Sequence, residues 1–251
     1  MRRDGGRCVN LIVMDKDIDL VPHTITQDNQ LIQAAYRLTT LEKRLLLVGM
    51  SRLNPMIQPV RGRAPIEELK ITAGDWKRAF PDDKKPYQSL RRAADGMMNR
   101  QWRVNHGEGT YTKYNWLSRC SYDPNKGEIE LMFTNDTALR LHGLTSEFTT
   151  LQLNQIGQLT SFNQIRLYEL IYQFKATGFL SKSLEDLRDI MDLTDKHLTW
   201  SVFKRDALDP AIRSINKNTN LTVTYKTTKA IRKVIGIEFY FHEDKQTELS
   251  F

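Results

Sequence analysis

The sequence predicts an α+β fold built as two tandem copies of one plan, and three observations point to it. Helical and strand periods recur in the same order in each half: helix, helix, basic helix, then two strands joined by a basic turn. That order is how a winged helix reads from sequence. At 251 residues the chain exceeds most single domains and has room for two of about 100 to 120 residues. With 40% hydrophobic and 27% charged residues it can bury a core and solvate its surface, which excludes the disordered class. The expected division is a poorly ordered N-terminal arm over 1–27, a first winged-helix domain over 28–148, a second over 149–245, and a tail over 246–251. The whole is expected to be mainly helical with β-hairpin wings.

The arm holds Arg2, Arg3, Gly5, Gly6 and Arg7 and no sustained period. Asp28 or Asn29 can cap the first helix, which would bury Leu31, Ile32, Ala35, Tyr36 and Leu38. Thr39 or Thr40 starts a second, with Leu41, Leu45, Leu46, Val48 and Gly49 at helical spacing and Glu42, Lys43 and Arg44 outward. Pro55, Pro59, Gly62 and Pro65 punctuate a loop; Leu69 and Ile71 then suggest a strand, and Trp76 to Phe80 a helix stopped by Pro81. Tyr87 to Met98 is the basic helix, with Leu90, Ala94, Met97 and Met98 inward and Gln88, Arg91, Arg92 and Arg100 in solvent. Gln101 to Asn105 and Ile129 to Thr134 read as strands, with Trp116 to Tyr122 a candidate third.

The second copy begins near Thr149. Ser161 to Lys175 is a long amphipathic helix carrying Ile165, Leu167, Tyr168, Leu170, Ile171 and Phe174, and Gly178 closes it. Ser183 caps a short helix with Glu185 and Asp186 in its first turn, where the dipole favours anions. After a turn from Leu193, Thr199 or Ser201 caps the basic helix, whose buried stripe is Phe203, Ala207, Ala211, Ile212 and Ile215. Pro210 in its middle demands a kink or a restart. Leu221, Val223 and Tyr225 alternate before a basic connection from Lys226 to Lys233, and Val234 to Phe241 completes the clearest hairpin of the chain.

The formal charge of +7 and pI near 9.3 fit a polyanionic partner. In the second copy, Lys204 and Arg205 lie on the outward face near the helix start, where a major groove would come closest. Arg205 suits the two acceptors of a guanine, and Lys204 a phosphate or a weaker base contact. A solvated helix face is the alternative for that pair alone. An acid-free hairpin connection with Lys226, Lys229, Arg232 and Lys233 tips the balance to double-stranded DNA. Lys196, His197, Trp200, Ser201 and Arg213 complete the second set, with Trp200 also placed to pack on Phe203. The first set is Lys84, Lys85, Tyr87, Gln88, Arg91, Arg92 and Lys113. Asp82, Asp83 and Asp95 dilute it toward phosphate contacts.

Catalytic signatures are sparse. No Gly-Lys-Ser or Gly-Lys-Thr phosphate loop occurs. His23, His106, His142, His197 and His242 are isolated from one another, which argues against the metal-binding histidine pair of a rolling-circle nicking enzyme. Cys8 and Cys120 lack ligand spacing, so neither a zinc site nor a disulfide framework is expected, nor any cofactor. The apolar run from Val9 to Met14 is too short for a signal core or a bilayer span, so a protein of a reducing cytoplasm without a membrane partner is expected.

Three stretches give the chain a family likeness: Leu31-Ile32-Gln33-Ala34-Ala35-Tyr36 with Glu42-Lys43-Arg44, Arg166-Leu167-Tyr168-Glu169-Leu170, and Phe203-Lys204-Arg205 leading to Leu208-Asp209-Pro210-Ala211-Ile212 and Ile215-Asn216. From about Asp28 to His242 it resembles the Rep_3-type plasmid replication initiators, the family of the F plasmid initiator. The resemblance implies two winged helices that bind iterons, the direct repeats of a plasmid origin, with base readout at Lys204 and Arg205. It also implies a monomer that recruits the host replication initiator and helicase, and a dimer joined through the first domain that represses its own gene. The F-type pattern has an arginine where this chain has Asp206. A winged-helix repressor without an initiator role is the alternative. Tandem repeats beside AT-rich DNA favour initiation, and a lone inverted repeat favours repression.

Overall fold

Two polar residues at the head of the longest helix of the first half show how local sequence sets an element. Thr39 Oγ1 accepts from the Glu42 N–H at 3.2 Å, and the Glu42 carboxylate accepts from the Thr39 N–H at 2.7 Å. This reciprocal cap satisfies two donors that a helix start leaves orphaned. Thr72 with Asp75 and Ser161 with Gln164 repeat it.

The computed structural model describes residues 24–65, 67–193 and 199–244. The first half runs β1 (Thr24–Asp28), α1 (Asn29–Gln33), α2 (Thr40–Ser51), β2 (Leu69–Thr72), α3 (Ala73–Ala79), α4 (Pro86–Met97), β3 (Gln101–Gly107), β4 (Thr110–Asn115), β5 (Leu117–Asp123), β6 (Glu128–Phe133) and α5 (Asn135–Ala138). The second runs β7 (Phe148–Gln152), α6 (Leu153–Gly157), α7 (Phe162–Tyr172), β8 (Phe179–Ser183), α8 (Leu184–Ile190) and α9 (Trp200–Phe203). A π-helical turn (Lys204–Leu208), α10 (Asp209–Asn218), β9 (Leu221–Ala230) and β10 (Lys233–Glu243) complete it.

The duplication is real and includes the sheets. In each half a capped helix (α2 or α7) leads to a strand (β2 or β8), a seven-residue helix (α3 or α8), a basic helix and a hairpin. The sheet orders correspond, β2-β6-β5 and β8-β10-β9, antiparallel throughout. Strand β8 escaped the sequence reading because Phe179 to Ser183 is too short to show a period. The first half also inserts a second hairpin, β3–β4. Strand β4 was not anticipated, although Gly107, Glu108 and Gly109 all take positive φ and mark its turn.

Four expectations are corrected. Residues 24–27, assigned to the arm, form β1 with Asp28 and pair with β7, Thr24 opposite Gln152 and Asp28 opposite Phe148. The first helix stops at Gln33, because Arg166 Nη2 takes the Ile32 and Ala34 carbonyls at 2.8 Å each and Ala35 pairs with the backbone of Arg103. Met98 is exposed, and Ala93 fills the inward position. The connection from Lys226 to Lys233 shrinks to Ile231 and Arg232, since the β9–β10 ladder continues to Ala230 opposite Lys233.

The largest departure concerns Glu42 and Lys43, expected in solvent and found buried. Arg100 grips Glu42 through two nitrogens at 2.9 and 3.0 Å. Lys43 Nζ meets Glu169 of α7 at 2.7 Å, and Arg166 Nη1 meets the same carboxylate at 3.1 Å, all three side chains fully buried. The Tyr36 hydroxyl accepts from both cations, at 2.9 and 2.7 Å, and Gln27 donates to Glu169 at 3.1 Å. Burial pushes the Glu169 carboxyl up, but Lys43 and Arg166 outweigh it and hold the group below its ordinary range. The outward face of α2 is therefore covered by the other half, and one apolar core runs from Ile25 to Phe241.

Candidate nucleic-acid interface

The second basic helix is built around the proline that the sequence made awkward. Thr199 caps α9, accepting from the Val202 N–H at 3.4 Å. Pro210 lacks an N–H, and its ring would collide with the Asp206 carbonyl in a regular helix. The chain widens instead: the Asp209 N–H reaches the Lys204 carbonyl, five residues back, across the π-helical turn. The helix then continues as α10 with Phe203, Ala207, Ala211, Ile212 and Ile215 buried.

Lys204 and Arg205 sit on the widened turn with side chains 46% and 73% exposed. Both engage carboxylates of their own helix. Lys204 Nζ lies 3.1 Å from Asp209, and Arg205 binds Asp206 through Nε and Nη2 at 2.5 and 2.8 Å. Asp206 raises the Arg205 pKa further. Sequence reading missed the Lys204–Asp209 pair because residues five apart do not face each other at 3.6 per turn, whereas a π turn brings them into line. Arg213 and Ser201 are exposed, and Trp200 is half-buried with its ring 6.2 Å from Phe203. Lys196 and His197 lie outside the described residues.

The wing is fastened to this helix. Tyr225 donates its hydroxyl to Asp209 at 2.8 Å, and Asn216 and Val223 exchange side-chain and backbone bonds at 2.9 and 2.7 Å. Lys226, Lys229, Arg232 and Lys233 are all exposed on it, Lys226 lying over the Tyr240 ring at 5.3 Å. Only Arg232 of the four belongs to the turn; the others stand on the strands.

In the first half, Pro86 opens α4 and leaves Tyr87, Gln88, Arg91 and Arg92 exposed, with Lys84 and Lys85 just before it. Tyr87 leans on the β5–β6 turn at Gly127, where a Cβ would stand 2.4 Å from the ring. Lys113 is exposed on β4, 5.3 Å from the Tyr111 ring. Asp83 is occupied structurally, accepting from Trp76 and from the Lys85 N–H at 2.8 Å each. Burial pushes its carboxyl up, but bonds from Ser89, Lys85 and Trp76 hold it below the carboxylate range. Arg119 is spent on Glu68 and Glu130 at 2.8 and 3.2 Å. Among the described residues, those of α9, the π turn, α10 and the wing are joined by the Tyr225–Asp209 and Asn216–Val223 bonds, Lys84, Lys85, Tyr87, Gln88, Arg91 and Arg92 lie at or on α4, and Lys113 stands apart on β4.

The family model described as "Initiator Replication protein, WH1" matches residues 24–172, and "Initiator Rep protein, WH2" matches 183–241. The chain belongs to the Rep_3-type replication initiator family. The first match takes in β1, β7 and α7, as the β1–β7 pairing requires. Among relatives of this initiator, an "Uncharacterized 27.6 kDa protein" of Escherichia coli is 26% identical over 212 residues, 80% of this chain and 88% of that one. The "PI protein" of Escherichia coli is 28% identical over 149 residues, 52% of this chain and 49% of that protein, about half its length. The fold superimposes on "Crystal structure of Pi initiator protein in complex with iteron DNA" with a TM-score of 0.71 at 21% identity, covering 90% of this chain and 100% of that one.

Among the described residues no group of three or more His, Cys, Asp or Glu is placed to hold a metal ion, and no helix is long and apolar enough to cross a membrane. His142 is buried between the Ala138 carbonyl and Glu67, and His106 bonds Thr112. Burial pushes the Cys120 thiol up to about 11 and leaves it protonated near neutrality.

Proposed function

We propose that this protein initiates plasmid replication by binding directly repeated double-stranded sites, iterons, at the plasmid's origin. The observation that carries the reading is that both initiator modules of one chain keep an exposed basic helix beside a hairpin on the same sheet order. The similarly folded Pi initiator, solved in complex with iteron DNA, supports it. The second domain reads bases: Arg205 releases Asp206 to take a guanine edge, Lys204 exchanges Asp209 for a phosphate or base, and Lys226, Lys229, Arg232 and Lys233 follow the backbone. The first domain clamps phosphates with Lys84, Lys85, Gln88, Arg91, Arg92 and Lys113. Two readers on one chain can occupy successive major grooves, so a monomer covers about 20 base pairs.

The reading extends to partners. The monomer recruits the host replication initiator and helicase in the bacterial cytoplasm, and a dimer joined through the first domain represses the gene. The protein acts by binding and assembly, without catalysis. A replicon carrying the gene and its flanking repeats, with no other initiator, should be maintained after transformation, and failure of maintenance refutes initiation. A tyrosine-linked strand break in supercoiled origin DNA incubated with the protein and a divalent metal would overturn the non-enzymatic role.

A further inference from the structure

The tip of the second wing places one apolar side chain among cations. Ile231 is 100% exposed, and residues 226–233 include Lys226, Lys229, Arg232 and Lys233 and no carboxylate. Its φ of +57° puts a β-branched residue in the left-handed region, at the first position of a two-residue turn that favours glycine, asparagine or aspartate. Neither packing within the chain nor turn chemistry accounts for an isoleucine there. Behind it, Ile235 is 46% exposed at a bulge between Val234 and Gly236, which twists the wing.

We infer that Ile231 is an apolar wedge that enters the minor groove and partly unstacks one base step, an inference that rests on the DNA-binding reading above. An apolar point flanked by Lys229, Arg232 and Lys233 complements a stack of bases lined on both sides by phosphates. The Tyr225–Asp209 and Asn216–Val223 bonds fix the wing to the basic helix. From Tyr225 to Ile231 the strand reaches about 20 Å at 3.3 Å per residue. Half a turn of duplex is about 17 Å, so with the helix in a major groove the tip meets the neighbouring minor groove. Flexible pyrimidine–purine steps unstack most readily, so the wedge selects such a step without a hydrogen bond to any base.

The test uses the full chain and a short linear duplex carrying one footprinted site from the DNA flanking the gene, with 2-aminopurine replacing each adenine in turn. Binding should raise fluorescence at a single step beside the half-site contacted by α9–α10. Ile231→Gly, which suits the positive φ, should abolish that rise while changing affinity by less than about tenfold, because lost contact and spared unstacking offset each other. Ile231→Met, apolar but unbranched, should restore it. A wild-type complex without a fluorescent step, or a glycine variant that keeps it, overturns the wedge while leaving DNA binding intact. Failure of the wild type to bind the flanking DNA removes the underlying reading instead. Binding to vesicles rich in anionic lipid that is lost in Ile231→Gly would assign the tip to a membrane and also overturn the wedge.

Discussion

Arg205 has five donors and, in the free protein, a neighbour that uses two of its nitrogens. On the proposed reading, base readout therefore begins with an exchange of partners. Arg205→Ala should cost roughly ten- to a hundredfold in affinity for the repeat and little for random duplex, whereas Lys229→Ala should weaken both about equally. Fluorescence anisotropy on the two duplexes checks this; equal losses for Arg205→Ala refute the assignment. Freeing the guanidinium with Asp206→Asn should tighten random DNA more than the repeat and narrow their ratio. An unchanged ratio would show that Asp206 does not compete with DNA. The cations themselves were legible as surplus charge, but the Lys204–Asp209 pair was not, since residues five apart are brought into line only by the π turn.

At the scale of elements, three helices were readable because each start carries its own cap and an apolar stripe follows: Thr39 before α2, Ser161 before α7, Thr199 before α9 and its continuation α10. Strands β4 and β8 were not: β8 pairs with the distant β10, and β4, although it closes a tight hairpin with β3, has no buried side chain and so shows no apolar alternation. Helix α2 taught the harder lesson. Its charged face looked solvated because the groups that cover it are distant in sequence and leave no local trace: Arg100 takes Glu42, and Glu169 of α7 pairs with Lys43. Glu169→Gln should cost about 3–5 kcal/mol in urea unfolding, since it strands two buried cations. The Glu169 pKa is depressed in the fold, so its contribution is present above the ordinary value of about 4.3 and is lost as pH falls through the lower folded value. Thermal midpoints should therefore hold from neutrality to about pH 5 and fall below it, with a shallower acid limb in Glu169→Gln. Parallel acid limbs would remove Glu169 from the account.

For the whole molecule, the duplicated plan was the most legible feature, and the two copies differ in detail. The second half pairs a bulged basic wing with a widened helix, while the first adds a hairpin and spends Arg119 and Arg100 on carboxylates. With about six phosphate contacts shared between the halves, affinity should drop by roughly a thousandfold between 50 and 200 mM salt. A salt titration that is nearly flat would exclude a two-domain phosphate clamp. Neutralising Arg91 and Arg92 together should lower the slope of that titration without altering which sequence is preferred.

The pairing of β1 with β7 also orders events in time. Thr26 and Thr150 join across 124 residues, so the strand that leaves the ribosome early waits for its partner to be made. At 5 to 20 residues per second that wait is about 6 to 25 s. Lys43 must wait longer still for Glu169. During synthesis the first half is thus held short of completion until β7 and α7 have been made, while the second basic helix and its wing are still to come.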